Sequence, residues 1–134
     1  MRRMSLKKFG QAVADVMTSL PDELKSHLDN VVVDVQEVPD RKTLLAAGLT
    51  EAEIADGETI LGLFDPLALP TAFSGDAIDT SAMLHRLIIF KRPLEEEFPD
   101  RRELLRQIRK TVIHELAHHF GYSDRDLERW TSVY

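Results

Sequence analysis

The chain has 134 residues, of which 43% are hydrophobic and 30% charged, and its formal net charge is -6. This length predicts one domain spanning residues 1–134, large enough to bury a core and too short for a second substrate-binding lobe. The acidic charge disfavours nucleic acid or an anionic membrane as a partner. Because cysteine is absent, disulfides and thiolate metal ligands are excluded.

The N-terminal segment carries Arg2 and Arg3 before Ser5, Leu6 and Lys7, a pattern similar to an export signal. The stretch that follows is amphipathic, so it lacks the continuous apolar region that such a signal needs. No run of about eighteen or more apolar residues is present, which predicts no membrane span. Together these features predict a cytoplasmic protein.

The first part of the chain is predicted to contain several helices. Apolar residues at helical spacing predict an amphipathic helix over residues 5–19, with Ser5 as its N-cap. Residues 41–47 predict a short helix, and Thr50 with Glu53 forms a capping-box pattern that begins another.

Three segments rich in β-branched and other apolar residues predict strands, at residues 31–38, 59–64 and 84–90. Gly62 lies inside the second of them and marks a bulge or a close approach by another part of the backbone. Residues 65–82 have no sustained period and are predicted to form the longest loop, which could rim a cleft.

The principal helix begins at Asp100, with Glu103 completing a capping-box pattern. Its apolar residues spread over about half of the circumference, which predicts a helix packed deep in the core. These residues are Leu104, Leu105, Ile108, Val112, Ile113, Leu116, Ala117 and Phe120. The basic residues of its first turns alternate with Glu103 and are predicted to be solvated rather than to bind RNA.

The same helix carries the pattern HExxHxxGxxD, which is typical of a metal site. His114 and His118 are four residues apart, so their imidazoles project from one face at a separation that suits two ligands of one tetrahedral ion. Glu115 cannot easily join the same coordination shell, but it can reach a water bound there and take its proton.

The residues after the helix complete the motif. Gly121 tolerates the left-handed conformation that turns the chain back, and the turn brings Asp124 round as a third ligand. Two imidazoles and a carboxylate leave one position of zinc open for water, as in catalytic sites. The sequence therefore predicts one zinc ion per chain, or another first-row ion, held by His114, His118 and Asp124, with Glu115 as the catalytic residue.

The remaining histidines are assigned no ligand role. His119 is predicted to pack near Ile108 and Val112, and His27 to be a surface residue. Four side chains are candidate oxyanion donors, namely His85, Arg86, Tyr122 and Tyr134. The sequence alone does not show which of them would donate to the oxyanion.

Several segments resemble one known family. They are IIFKRPL at residues 88–94, RKTVIHELAHHFG at 109–121 and SD at 123–124, with a looser likeness in LDNVVV at 28–33 and LGLF at 61–64. In these segments the chain is similar to the small zincin-like metallopeptidases of bacteria, often called minimal metalloproteases.

The resemblance implies a mixed α+β, zincin-like fold in which the site helix lies under a small twisted sheet. It also implies zinc held by His114, His118 and Asp124, with Glu115 as general base. The motif is similar to that of the metzincin peptidases too, but no methionine turn follows Asp124. The ten residues that follow Asp124 also leave no room for the distant glutamate ligand of thermolysin-like enzymes.

The leading interpretation is a zinc-dependent metallopeptidase in which Glu115 activates a metal-bound water to hydrolyse a peptide bond. An extended peptide or protein substrate is expected to pair with the strand that ends near Phe90. One alternative is a metal-dependent endoribonuclease like the small bacterial rRNA-processing hydrolases, which Asp124 and the acidic charge disfavour. The other is a non-enzymatic module in which zinc braces the C-terminal turn.

Overall fold

The computed structural model describes residues 4–65 and 85–131. In chain order the elements are α1 (Leu6–Thr18), α2 (Asp22–Lys25), β1 (Val31–Gln36), α3 (Arg41–Ala46), α4 (Glu51–Ala55), β2 (Gly62–Asp65), β3 (His85–Phe90), α5 (Lys91–Glu97), α6 (Arg101–His119) and α7 (Asp124–Thr131). The arginine pair at the N-terminus, nearly all of the predicted long loop and Tyr134 lie outside the described residues. In the described part of the chain, no helix is long and apolar enough to cross a membrane.

Three helices begin where the sequence places their caps. The side chains of Ser5 and Asp100 each accept a hydrogen bond from a backbone N–H in the first turn of α1 and α6. Thr50 and Glu53 form a reciprocal capping box at the start of α4. These bonds satisfy N–H groups that have no partner within the helix, so short polar residues at these positions set where each helix starts.

The three described strands form a mixed sheet in the order β1-β3-β2. β1 runs parallel to β3, and β2 runs antiparallel to it. The expectation that the strand ending near Phe90 offers a free edge is therefore wrong, because Gln36 lies opposite Phe90 on one side and Gly62 opposite Ile89 on the other. Residues 87–90 are buried, as expected of a strand in the middle of a sheet.

β2 is shorter than predicted and lies very close to α6. The strand begins only at Gly62, whereas the apolar pattern begins at Thr59. A Cβ atom on Gly62 would lie 3.0 Å from Cγ2 of Thr111 and 3.3 Å from the carbonyl oxygen of Ile88. The close approach predicted at this glycine is confirmed, and it brings the start of β2 against the site helix.

α6 is the central helix of the core. It packs against α1, α5, α7 and two strands of the sheet. Its buried residues are Leu104, Ile108, Val112, Ile113, Leu116 and Ala117. Leu105, predicted to be buried, is instead 43% exposed, since it lies at the edge of the apolar arc in the first turns. The arrangement confirms the predicted α+β architecture with a small mixed sheet packed on the site helix.

A buried ion pair joins α5 to the N-terminal segment. Lys91 Nζ lies 2.8 Å from Glu95 Oε1, and the two side chains are only 6% and 2% exposed. The other carboxylate oxygen of Glu95 accepts a hydrogen bond of 2.9 Å from the backbone N–H of Met4. Both charges therefore have partners, as buried charges require.

Candidate metal centre

The turn after α6 has the geometry that the motif predicts. Gly121 has φ +81°, in the left-handed region. The N–H of Tyr122 donates to the carbonyl of Ala117 at 2.9 Å, and the N–H of Gly121 donates to the carbonyl of His118 at 3.3 Å. These two bonds form a Schellman motif, which satisfies the last carbonyls of the helix and reverses the chain. The predicted role of Gly121 as the helix stop is confirmed.

His114 and His118 lie side by side on the exposed face of α6. Their ring centroids are 4.7 Å apart and their planes differ by 24°. The neighbouring residues Ile113 and Ala117 face the core and are fully buried. The periodicity of the helix thus separates a buried packing face from a face that presents two adjacent imidazoles, and this pair fits the nitrogen donors that zinc prefers.

Glu115 lies next to the pair and is half-buried. Burial raises the pKa of its carboxyl above the usual range, because the charged form loses hydration, while the charge on His118 acts in the opposite direction. A carboxyl group with a raised pKa is a better proton acceptor near neutral pH.

Asp124 is exposed and is the first residue of α7. The cap of this helix is made by its neighbours: Asp126 N–H donates to Ser123 Oγ, and Ser123 N–H donates to Asp126 Oδ2, both at 3.2 Å. Within residues 4–65 and 85–131, no three histidine, aspartate or glutamate side chains are close enough to hold a metal ion. The structure pairs His114 with His118, and Asp124 as third ligand stays a prediction.

His27 is half-buried against the turn, not a surface residue as predicted. Its ring stacks on Phe120 with centroids 4.5 Å apart, and its Nε2 lies 2.9 Å from the hydroxyl of Tyr122. That hydroxyl also donates to the carbonyl of Glu23 at 3.3 Å, and the Tyr122 ring meets Trp130 edge-on. The prediction was wrong because the sequence neighbours of His27 are polar, whereas its packing partners are more than ninety residues away.

His119 connects the end of α6 to β2. Its ring stacks on Phe64 with centroids 3.8 Å apart, whereas the sequence predicted packing near Ile108 and Val112. The ring of His85 lies 5.4 Å away, and its Nδ1 is buried without a hydrogen-bond partner among the described residues. Loss of hydration lowers the pKa of His119, and the charge on His85 acts in the same direction.

A cleft of about 480 Å³ opens beside the first half of the motif. It is lined by Ile60, Leu61, Gly62, Lys110, Thr111, His114, Glu115, Leu127 and Thr131. Of the oxyanion candidates, His85, Arg86 and Tyr122 do not line it. Sequence reasoning missed the rest of the lining, although Lys110 and Thr111 precede His114 and Glu115 by one helical turn and share their face.

A histidine pair and a glutamate on one helix, packed beneath a small mixed sheet, define a class of metal-dependent hydrolases. The family described as zincin-like metallopeptidases matches residues 28–132, and the chain belongs to this family. A comparison with curated proteins gives no match. Membership confirms the resemblance and the zincin-like fold. In general terms, it also implies a metallopeptidase that binds zinc.

Proposed function

We propose that this protein is a zinc-dependent peptidase in which His114 and His118 hold the metal, Asp124 completes the ligand set and Glu115 is the general base. The observation that carries the proposal is a half-buried carboxylate next in sequence to the first of two adjacent exposed imidazoles, with His114 and Glu115 both lining the cleft. Family membership supports the peptide bond as the target.

When bound, zinc supplies a Lewis acid for the scissile carbonyl and makes a water more acidic. Glu115 takes a proton from the attacking water and passes it to the leaving amine. Its place between the two histidines in sequence keeps its carboxylate beside the ligand pair, and its raised pKa matches a group that must both accept and return a proton.

The proposed path of the substrate backbone runs along β2. Leu61 and Gly62, at the start of this strand, line the cleft, and β2 is an edge strand among the strands described. An extended peptide that pairs with an edge strand gains backbone hydrogen bonds without regard to its side chains. β3 is excluded from this role because it is paired on both sides.

Metal content tests the ligand set. We expect roughly one zinc per chain in the wild type by plasma mass spectrometry, loss of zinc in His114→Ala, and weakened retention in Asp124→Ala. Glu128→Ala, an exposed change on the same helix as Asp124, serves as the control and should keep zinc. No zinc uptake by the wild type would overturn the proposed function, and full retention in Asp124→Ala would remove Asp124 from the ligand set.

Turnover of a peptide library tests the role of Glu115. Glu115→Gln keeps a hydrogen-bonding group of the same size but cannot accept a proton, so we expect at least a roughly hundredfold loss of turnover with zinc content unchanged. Unchanged turnover in this variant would exclude Glu115 as the base.

A further inference from the structure

The cleft beside the candidate metal centre has apolar walls and a lysine in its lining, and these features suit one class of substrate. We propose that it binds an apolar side chain of the peptide, with a carboxylate of the same peptide pairing with Lys110. This inference rests on the proposed function, because the side chain bound there belongs to a residue next to the cleaved bond.

The walls of the cleft are apolar. Ile60, Leu61 and Leu127 contribute aliphatic side chains. The two threonines in the lining present little polarity, because each hydroxyl donates to a carbonyl of its own helix: Thr111 to Gln107 at 2.8 Å and Thr131 to Leu127 at 2.7 Å. Threonine hydroxyls bonded back to the helix are occupied. What remains is a surface suited to a leucine-sized or phenylalanine-sized group.

The size of the cleft allows a large side chain to enter with its backbone. Its volume of about 480 Å³ is near the lower end of the range for small-molecule sites. Gly62 contributes no side chain, and even a methyl group there would press on Thr111. The cleft thus has room for one large apolar side chain and the adjoining backbone.

The cleft contains charges of both signs. Among the lining residues that the structure describes, Lys110 is the one lysine or arginine and Glu115 the one carboxylate. The neighbouring cations are engaged elsewhere, since Arg109 donates to Ser19 and Arg106 pairs with Glu103. The ion pairs of the described residues do not include Lys110.

The spacing of these charges fits a short length of peptide. Lys110 precedes His114 by four residues, so along the helix axis it lies about 6 Å before His114. An extended peptide that runs alongside α6 rises about 3.4 Å per residue, so a group two residues from the scissile carbonyl comes level with Lys110. That group is either the side chain of an aspartate or glutamate or the C-terminal carboxylate, and the repulsion by Glu115 keeps it at the Lys110 end.

NMR titration of the 15N-labelled full chain tests the inference without turnover. The probes are N-acetyl-Leu-Glu-amide, N-acetyl-Leu-Lys-amide, N-acetyl-Ala-Glu-amide and N-acetyl-Leu-Ala with a free C-terminal carboxylate. We expect the Leu-Glu probe to shift the amide signals of Leu61, Thr111 and Leu127, and to bind about fivefold more tightly than the Leu-Lys and Ala-Glu probes. Binding of N-acetyl-Leu-Ala equal to that of the Leu-Glu probe identifies the C-terminal carboxylate as the group recognised, and weaker binding identifies the acidic side chain.

Lys110→Glu should reverse the preference between the Glu and Lys probes, whereas Lys42→Glu, an exposed change on α3, should leave it intact. Equal affinity for these two probes, an unchanged preference in Lys110→Glu, or no shift of the cleft signals would overturn the inference. Because the titrations are run with zinc and with chelator, a failure here is separable from a failure of zinc binding or of the Glu115 test.

Discussion

At the scale of single residues, Glu115 combines a chemical role with a cost to folding. It lies on α6 between the buried residues Ile113 and Leu116, and burial favours its neutral form. Near neutral pH the ionised carboxylate therefore opposes folding until a bound metal or substrate offsets its charge. Groups held in unfavourable surroundings are common at active sites, since they are arranged for the reaction rather than for stability.

Glu115→Gln is expected to stabilise the metal-free protein at pH 7. The folded-state pKa lies above the unfolded value, so the contribution of this group to stability is present below the unfolded pKa and is lost as pH rises through the folded pKa. Glutamine has no such dependence. The advantage of the variant over the wild type should therefore be present at pH 7 and shrink toward zero as pH falls below about 4.

Urea unfolding in the presence of a chelator measures this difference. Comparing the variant with the wild type at each pH cancels the titration of all other groups. Glu128→Gln, an exposed glutamate on α7, is the matched control and should show no comparable pH-dependent gain. An advantage of Glu115→Gln that is the same at pH 7 and below about pH 4 would contradict this explanation of the role of burial.

At the scale of elements, the sequence predicts those parts of the fold that depend on bonds between nearby residues. The caps at Ser5, Thr50 and Asp100 and the turn at Gly121 depend on bonds between residues a few positions apart, so short patterns predict them. The faces of α6 follow from helical periodicity, which is why the adjacency of His114 and His118 could be predicted, while their role as metal ligands stays a prediction.

The features that sequence did not predict depend on long-range contacts. Strand order does not follow from the apolarity of residues 85–90, which suits any buried strand, so the central position of β3 was missed. His27 meets Tyr122, which lies 95 residues further along the chain. Pairing of this kind is decided by packing in three dimensions and leaves no mark on neighbouring residues.

The turn between α6 and α7 is an element whose rigidity should affect zinc binding. Tyr122→Phe removes the hydroxyl that contacts His27 and the carbonyl of Glu23 but keeps the ring against Trp130. On the proposed ligand set, the turn positions Asp124, so we expect about tenfold weaker zinc binding, as for other residues that orient ligands without touching the metal. Competition with a chromophoric chelator measures the affinity.

Thr18→Ala is the control for this experiment, because it removes a hydroxyl bonded to a backbone carbonyl on α1, away from the turn. It should leave zinc affinity unchanged. Loss of the Tyr122 hydroxyl should also lower the free energy of unfolding by about 1 kcal/mol. Zinc affinity and the free energy of unfolding are therefore both measured on the same samples. Lower stability with unchanged zinc affinity would show that the hydroxyl stabilises the fold without positioning the ligand.

At the scale of the whole molecule, β3, α5 and α6 form one continuous stretch of chain that leads to the candidate metal centre. β3 passes directly into α5, and α5 leads through a short turn to the cap of α6 at Asp100. The Lys91–Glu95 pair lies at the start of this connection, where it also holds the backbone of Met4. Breaking the pair therefore tests how strongly the stability of the N-terminal segment and α5 depends on the buried charge of Lys91.

Lys91→Met is expected to destabilise the protein by about 3–5 kcal/mol, because it leaves Glu95 as a buried carboxylate without its cation. Thermal and urea unfolding measure the loss, and Lys42→Met, an exposed change, should stay within about 0.5 kcal/mol of the wild type. Adding Glu95→Leu to Lys91→Met removes the unpaired charge, so the double variant should recover much of the stability. If the double variant is as unstable as the single one, the loss comes from packing around α5 rather than from the stranded carboxylate.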